Sequence, residues 1–384
     1  MFFSTQDIQK LLSKCSLLFL VAKNNISISK KNNVFVADTC PFCRSKHTLH
    51  LETDRYCCYG CGKAGNAINF IMDSQNLNFS EAVLYLSKIY KMPLKNSENK
   101  PIIINYKKAT TLEINNIAAK YYYQYLRANH NSGLEYLDSR QIPENIKTSF
   151  GLGFSGPFGD NLYQLLKSKG YSDSDILESG LISKSKKPDA KKPFYDKFWD
   201  RVIFPIFDSN GKVVAFGGRV LDGSKPKYLN SPETAAYVKG DNLYCYDKAK
   251  KSKHDYFICC EGYMDAITMH QFGFDNAVAS LGTALTKNQI KLLTTKKELI
   301  LAYDTDSAGI NATRRAIKLC REANLPVRVL QVSNAKDPDE FLKKFGAKGF
   351  QKLIDTAESD KHFMIRTSMI DGKFDFSSAA EELL

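Results

Sequence analysis

The chain has 384 residues, which at about 150 residues per domain predicts two or three domains. Its 43% hydrophobic and 25% charged residues are typical of an ordinary folded protein and exclude a largely disordered or fibrous chain. Lys and Arg (54) exceed Asp and Glu (41), and the resulting charge of +13 indicates a polyanionic partner, with nucleic acid favoured over an anionic membrane surface.

The first notable segment is the apolar run at 16–22, which is far shorter than the ~20 residues needed to span a bilayer. Lys10 and Lys14 precede it, as in a secretory signal, but no small-x-small cleavage site follows. We interpret the run as part of the core of a cytoplasmic protein and expect no membrane association.

Half of the ten cysteines crowd into a short segment, unlike a disulfide framework. Four of them form the pattern C-x2-C-x14-C-x2-C, in which two tight knuckles can place four thiolates around one structural Zn²⁺. The predicted zinc ligands are Cys40, Cys43, Cys58 and Cys61. Three neighbouring residues are second choices as ligands: Cys57, His47 and His50. Cys259 and Cys260 end an apolar run and are predicted to be core residues.

Beyond the second knuckle, apolar residues at helical spacing predict helices at 66–72 and 80–90. A compact zinc-binding module therefore covers residues 1–93. The polar, proline-bounded stretch that follows is typical of a linker, which we assign to 94–106.

The next segment, 107–254, changes from helices to strands. We predict helices at 110–129, 160–169 and 172–179, followed by a hairpin in which 202–207 and 212–216 flank a turn containing Gly211. From 255 to 345, short apolar strands at 255–260, 276–280, 298–303 and 326–332 alternate with helices at 262–272, 286–295 and 307–323. Such alternation predicts a parallel sheet flanked by helices, so the fold class is α/β.

Acidic residues recur where these strands end. The three sets are Glu261 and Asp265, Asp304 and Asp306, and Asp337 and Asp339. The carboxyl ends of parallel strands share one crevice, and carboxylates gathered there favour a hard divalent cation such as Mg²⁺. Helix capping is the alternative, but it accounts for only one carboxylate per helix.

The motifs around these acids resemble those of bacterial replicative DNA primases, the DnaG family. The resemblance rests on 261–265 (EGYMD), 279–284 (ASLGTA), 304–309 (DTDSAG) and 336–340 (KDPDE), and it extends upstream to 216–221 (FGGRVL), 226–234 (PKYLNSPET) and 79–83 (FSEAV). It covers roughly residues 30–345.

The resemblance implies a zinc-ribbon module at 1–93, a mixed α+β basic subdomain of an RNA polymerase core at 107–254, and a Toprim parallel-sheet subdomain at 255–345. Residues 346–384 would begin a C-terminal helical subdomain. The implied function is DNA primase, a nucleotidyltransferase that joins ribonucleoside triphosphates into short RNA primers on a single-stranded DNA template. Its cofactors would be one structural Zn²⁺ and catalytic Mg²⁺ or Mn²⁺.

The family also implies residue roles. Glu261, Asp304 and Asp306 would hold the catalytic metals, with Asp265, Asp337 and Asp339 supporting them. The residues that would contact template or nucleotide are Arg201, Arg219, Lys227, Asn230 and Lys239, of which Lys227 and Lys239 would act beside the nucleotide in catalysis. The segment 184–254 carries sixteen Lys or Arg against eight Asp or Glu, as expected of a surface that follows template phosphates.

Two departures from the family pattern stand out. Cys43 replaces the His usual at the second zinc position, and Trp199 with Lys197 replaces an Arg before the strand at 202. Trp199 could stack on a base or pack against that strand, and the sequence leaves both readings open.

The family's helicase-binding domain is not visible by Leu384, so the sequence gives no support for a replicative-helicase partner, and we expect a monomer. The chain could be a fragment or a naturally short primase. A recombination mediator of the RecR type, which also joins a zinc module to a Toprim domain, is the alternative function, and primer synthesis separates the two. The preferred start site is not readable from the sequence.

Overall fold

In this computed structural model the residues described are 3, 5–31, 34–75, 77, 79–92, 94, 106–128, 130–185, 192–282, 284–332, 334–370 and 373–374. The chain divides into two compact units, Met1–Ala109 and Thr110–Leu384. Most of the predicted linker at 94–106, and part of the predicted helical subdomain at 346–384, lie outside the described residues.

The first unit is built on an antiparallel sheet whose strands follow one another in chain order. Its described strands are β1 (Ile28–Lys31), β2 (Val34–Thr39), β3 (Lys46–Leu51), β4 (Tyr56–Cys58) and β5 (Ala64–Gly65). Its helices are α1 (Thr5–Leu12), α2 (Leu17–Lys23), α3 (Ala67–Gln75) and α4 (Phe79–Ile89). Tyr56 and Phe70 lie in the shared core, so the helices bury their apolar faces against the sheet.

The apolar run at 16–22 forms α2, as part of this core. Ser16 caps the helix by accepting a hydrogen bond from the Phe19 N–H at 3.3 Å, and Leu17, Leu20 and Val21 are buried. The predicted core role is confirmed. Among the described residues, no helix combines the length and the apolar character that crossing a membrane requires.

The first half of the second unit joins helices to an antiparallel sheet. The helices are α5 (Tyr106–Ala128), which begins just before the unit boundary, α6 (Ser132–Ser139), α7 (Glu144–Ser149), α8 (Asn161–Ser168), α9 (Asp173–Glu178) and α10 (Tyr246–Ala249), with a 3₁₀ turn at Lys239–Asp241. The strands are β6 (Gly153–Phe154), β7 (Ile182–Lys184), β8 (Phe194–Asp196), β9 (Arg201–Phe207), β10 (Val213–Val220) and β11 (Tyr228–Asn230). Four of them form a sheet in the order β11-β10-β9-β6, while β7 pairs with β8.

The predicted hairpin is the pair β9 and β10. In its turn, the Asp208 carboxylate accepts hydrogen bonds from the N–H groups of Asn210 and Lys212 at 2.8 and 2.9 Å. Gly211 supplies the positive φ of 78° that closes the turn, which explains the glycine in the sequence signal.

The second half is the predicted parallel sheet, ordered β13-β12-β14-β15-β16. Its strands are β12 (Tyr256–Cys260), β13 (Ala277–Ala279), β14 (Glu298–Leu301), β15 (Val327–Val329) and β16 (Glu358–Ser359), and β16 joins the edge antiparallel to β15. The helices are α11 (Tyr263–Gln271), α12 (Lys287–Leu293), α13 (Ser307–Glu322), α14 (Pro338–Asp355) and α15 (Asp360–Thr367), and a short hairpin, β17 (Met369–Ile370) with β18 (Lys373–Phe374), follows.

Strand β12 lies at the centre of two cores. Ile258 and Cys260 face one core together with residues of α11, whereas Phe257 and Cys259 face the other with residues of α13. Burial on both faces explains the unbroken apolar run of the strand and confirms that Cys259 and Cys260 are core residues. The α/β class and the order of a zinc-binding module, a mixed subdomain and a parallel sheet agree with the sequence prediction.

Candidate catalytic cleft and zinc site

A cleft of about 810 Å³ opens in the second unit beside the ends of the parallel strands. One part of its lining is acidic: Glu261, Asp265, Asp304, Asp337, Asp339 and Glu340. The other part is basic: Arg140, Arg219, Lys227, Lys336, Lys343 and Lys344. The cleft therefore brings together most of the acidic side chains that the sequence analysis placed at strand ends, with cations among them, such as Lys343 paired with Asp339.

Glu261 and Asp304 lie side by side, after β12 and β14. The Glu261 Oε1 atom accepts a hydrogen bond from the Asp304 N–H at 3.3 Å. Burial raises the pKa of both carboxyls, and each is raised further by neighbouring carboxylates. The ionised form of each carboxyl is therefore unfavourable on its own and would be stabilised by a bound cation.

The close approach of Glu261 to Asp304 depends on Gly309, which lies in the first turn of α13. A Cβ atom there would lie 2.0 Å from the Asp304 carbonyl oxygen and 3.1 Å from Glu261 Oε1. Only glycine therefore fits beside the Asp304 backbone carbonyl and the Glu261 carboxylate, which explains its place in the motif 304–309.

Asp265 is half-buried among the other acids of the cleft. Burial, together with Asp337, Asp339 and Asp304, raises its pKa to about 8. Its Oδ1 atom accepts a hydrogen bond from the Asp339 N–H at 3.3 Å, so the start of α14 is tied to α11.

Asp339 is buried, and its carboxylate is already engaged. Thr268 donates to Oδ1 at 2.5 Å, Lys343 Nζ lies 2.6 Å from the same oxygen, and Arg140 donates to Oδ2. Arg140, at the C-terminal end of α6, is a cleft cation that the sequence analysis missed. Its partner lies 199 residues away, so no local pattern marks the pair.

Asp306 differs from Glu261 and Asp304 in its exposure, although its charge helps to raise the pKa of both. It is exposed, it is not part of the cleft lining, and its Oδ1 atom caps α13 by accepting the Gly309 N–H at 2.8 Å. Its role as a metal holder stays a prediction, with Oδ2 as the oxygen not used by the cap.

Two of the predicted template contacts, Arg219 and Lys227, line the cleft. The Arg219 guanidinium lies over the Tyr136 ring at 4.7 Å and donates to the Tyr228 hydroxyl at 3.0 Å, which fixes its plane. Burial lowers the pKa of Lys227, and the nearby charges of Arg219 and Lys336 lower it further. Two cations held this close indicate a site for an anion.

Three other predicted contacts do not line the cleft. Asn230 donates to the Leu281 carbonyl at 2.9 Å and accepts from the Tyr263 hydroxyl at 2.7 Å. Lys239 begins the 3₁₀ turn, and Arg201 is buried. The Arg201 Nη1 atom donates to the carbonyls of Gly218 at 3.2 Å and Pro226 at 3.0 Å, so it supports the loop that leads to Lys227.

The oxygen donors of the cleft fit Mg²⁺ or Mn²⁺. Among the described residues, the zinc-module sulfurs are the one set of three or more possible ligands gathered around a point, so no such set of carboxylates is assembled in the cleft. Mg²⁺ does not require one, because it binds one or two carboxylates and fills its remaining positions with water and phosphate oxygens. Glu261 and Asp304, whose carboxylates repel each other, are the residues best placed to hold it.

In the first unit, the sulfurs of Cys40, Cys43, Cys58 and Cys61 form this compact group. The Cys43 and Cys58 sulfurs are 3.8 Å apart, which matches the edge of about 3.8 Å of a tetrahedron with 2.3 Å zinc–sulfur bonds. Burial would raise the pKa of Cys58, but hydrogen bonds from Thr48 and the Cys61 backbone lower it to about 6. The structure therefore supports the four predicted ligands as a structural zinc site.

The second-choice ligands stay outside this group. Cys57 on β4 is the cross-strand partner of His50 on β3, and this pair lies on the face of the sheet opposite to Cys58. His47 lies 4.0 Å from Asp38. Each knuckle closes with a residue at positive φ, Arg44 at 61° and Gly62 at 74°.

Family models match three consecutive parts of the chain. They are the CHC2 zinc finger over 3–101, the N-terminal domain of the DNA primase catalytic core over 121–250, and a Toprim-like domain over 258–342. The DNA primase of Clostridium acetobutylicum is 42% identical over 326 residues, which cover 83% of this chain and 54% of that protein. The chain thus spans about half the length of this curated relative.

Two solved structures share the fold. The zinc-binding and RNA polymerase domains of the Aquifex aeolicus primase are 29% identical, with a TM-score of 0.65 over 98% of this chain and 90% of that one. A DnaG primase catalytic domain bound to single-stranded DNA is 30% identical, with a TM-score of 0.64 over 69% of this chain and 86% of that one. From its zinc module to its Toprim-like sheet, the chain belongs to the DnaG family of DNA primases.

Proposed function

We propose that the chain synthesises short RNA primers on single-stranded DNA. The observation that carries this proposal is the cleft of the second unit, where strand-end carboxylates face Arg219 and Lys227. Joining nucleotides on a template requires both halves, because the metal ions need oxygen ligands while the phosphates of template and nucleotide need cations.

In the acidic half, Glu261 and Asp304 would hold the divalent ions, with Asp306 contributing its remaining oxygen. When bound, Mg²⁺ or Mn²⁺ supplies charge stabilisation for the attacking 3′ oxygen and for the leaving pyrophosphate. Asp265 and Asp337 surround these carboxylates and add negative charge that favours a cation. Asp339 supports the site differently, by holding Arg140 and Lys343 in the cleft.

In the basic half, Arg219 and Lys227 would bind phosphate oxygens of the nucleotide or template. The fixed plane of the Arg219 guanidinium suits two-point binding of a phosphate, whereas Lys227 acts as a point charge. Asn230 contributes through the loop that it holds, and Arg201 holds the loop that carries Lys227. Lys239 would act beside the nucleotide.

The zinc module would select or hold the template. Replication templates lie in the bacterial cytoplasm, so the proposed activity implies that location. The match of 121–250 to the primase core supports primer synthesis over a recombination mediator, which needs no polymerase half.

The test is incubation of the purified chain with single-stranded DNA, labelled ribonucleotides and Mg²⁺ or Mn²⁺. We expect short RNA products whose base composition follows the template. If the chain binds the DNA but forms no labelled RNA with either metal on templates of varied sequence, it is a binding protein and the proposal is wrong.

A further inference from the structure

Three aromatic side chains form a group on the surface of the second unit, away from the residues that line the cleft. The Phe158 ring is 63% exposed. Its centroid lies 5.8 Å from the Tyr195 ring at an interplanar angle of 40°, and 5.8 Å from the Trp199 ring at 86°. We call Phe158, Tyr195 and Trp199 the aromatic platform.

The local sequence directs these rings outward. Phe198 and Arg201 are buried in the unit, and Trp199 lies between them, half-buried. In β8, Asp196 turns inward to accept the N–H groups of Leu162 and Tyr163 at 2.9 and 3.1 Å. Tyr195, its neighbour on the strand, therefore faces the opposite side.

The segment that carries Phe158 is fastened to the segment that carries the other two rings. The Asp196 N–H donates to the Gly159 carbonyl at 2.8 Å, and the Asp200 N–H donates to the Gly156 carbonyl at 2.6 Å. These bonds flank Phe158 on both sides, so the platform is preorganised and loses little conformational entropy when it binds.

Although none of its rings lines the cleft, the platform lies near Arg219. Trp199 precedes β9 and lies three residues before Val202, which pairs with Arg219 on β10. Asp200, at a φ of 47°, bends this segment, so Trp199 lies at most about 10 Å along the chain from Val202. The buried Arg201 guanidinium connects the start of β9 to the loop before Lys227. A single-stranded DNA that reaches Arg219 can therefore reach the platform as well.

The charges around the platform favour bases over phosphates. Lys192 has a 67% exposed side chain but already pairs with Asp160 at 2.6 Å, and Lys197 is partly buried. Asp200 is an exposed acid beside Trp199. Among these described neighbours no cation is both exposed and without an acidic partner, whereas exposed aromatic faces offer stacking surfaces for unpaired bases of any sequence.

Building on the proposed function, we propose that the aromatic platform stacks unpaired bases of the single-stranded template outside the cleft. The platform would hold template by its bases, while Arg219 and Lys227 hold it by its phosphates.

Because Trp199 is the single tryptophan, its fluorescence reports the platform directly. We expect a twelve-nucleotide oligo-dT to quench or shift the emission of the full chain saturably. An abasic strand of equal length should leave it unchanged, because it offers phosphates without bases. Equal responses to both strands, or a response to neither while binding is seen by an independent method, would overturn the proposal.

Phe158 variants provide the second test. Phe158→Leu removes the ring but keeps an apolar side chain, and we expect about tenfold weaker binding of oligo-dT, as for the loss of one stacked base. Phe158→Tyr should restore the affinity. Because no phosphate contact is lost, the slope of log affinity against log salt should be the same in both variants and the wild type.

These results are separable from the primase proposal. Primers made by a wild-type chain whose Phe158→Leu variant binds oligo-dT as tightly would refute the platform and leave the primase function standing. Base-dependent quenching without any primer synthesis would support the platform and refute the primase function.

Discussion

The acidic side chains of the cleft differ in what each carboxylate already binds. Glu261 and Asp304 are half-buried beside each other, with pKa values raised by burial and by neighbouring carboxylates. Both carboxylate oxygens of Asp339 are already engaged in ion pairs or hydrogen bonds with Arg140, Lys343 and Thr268. Position at a strand end therefore does not by itself define a metal ligand, and the free oxygens of each group decide its chemistry.

Asp306 caps α13 and, in the proposed function, also holds a metal ion, and substitutions can separate these two roles. In Asp306→Asn the amide oxygen still caps α13, since Asn and Asp are comparable N-caps, but the negative charge is lost. We expect an unchanged melting temperature and primer synthesis lowered by roughly tenfold, as for about 1.4 kcal/mol of lost charge stabilisation. Asp306→Ala should in addition cost about 1 kcal/mol of stability. Full synthesis by Asp306→Asn would limit this residue to capping.

Gly309→Ala tests the packing between Asp304 and Glu261. The added methyl group would meet the Asp304 carbonyl, so we expect a loss of about 1–3 kcal/mol in the free energy of unfolding together with loss of synthesis. Urea denaturation measures the first effect. Ser307→Ala, at an exposed position in the same turn, is the control and should change neither. A fully stable and active Gly309→Ala would show that the close approach is not required.

At the scale of elements, the parallel sheet and its helices could be predicted from the sequence. Strands that are buried on both faces consist of short apolar runs, and here these runs alternate with amphipathic helices. The hairpin of β9 and β10 is equally readable from its glycine-containing turn. The position of Arg140 in the cleft could not be predicted from the sequence, because only the folded chain brings the end of α6 to Asp339. The buried state of Arg201 also escaped the sequence analysis, since a basic residue in a basic segment predicts a surface position.

Loss of the zinc knuckles should destabilise the first unit and leave the second unit folded. Cys58→Ser combined with Cys61→Ser should abolish zinc binding and unfold the first unit, because a closed structural site contributes its binding free energy to folding. We expect metal analysis to show one Zn²⁺ in the wild type and none in the variant. Calorimetry should show one lost transition, while the transition of the second unit persists.

Cys57→Ser is the matched control, since Cys57 lies next to the ligand Cys58 but outside the sulfur group. It should keep its zinc and both transitions. Retention of zinc by the double variant, or its loss from Cys57→Ser, would contradict the ligand assignment.

At the scale of the whole molecule, positive charge is distributed unevenly. The segment 184–254 carries a net charge of +8, more than half of the total of +13, and it supplies Arg219 and Lys227 to a cleft whose other part is acidic. This arrangement attracts a polyanion to the cleft while reserving the strand ends for cations.

Lys227→Ala should change how DNA binding depends on salt. If Lys227 neutralises one phosphate of the template, the slope of log affinity against log salt should become shallower by about 0.7. Lys287→Ala, which removes an exposed lysine paired with Glu322, should leave the slope unchanged. Fluorescence anisotropy of a labelled single strand measures both. An unchanged slope in Lys227→Ala would place this lysine on the nucleotide or away from both ligands.

The central claim is that the carboxylates at the strand ends carry out nucleotidyl transfer and are not required for DNA binding. The most direct test compares primer synthesis and single-stranded DNA binding in the wild type and in Glu261→Gln. We predict that Glu261→Gln lowers synthesis by roughly a hundredfold or more, because bound metal ions contribute several kcal/mol of transition-state stabilisation. DNA binding should stay equal or become tighter, since one negative charge is removed. Synthesis by Glu261→Gln at the wild-type rate would contradict the account.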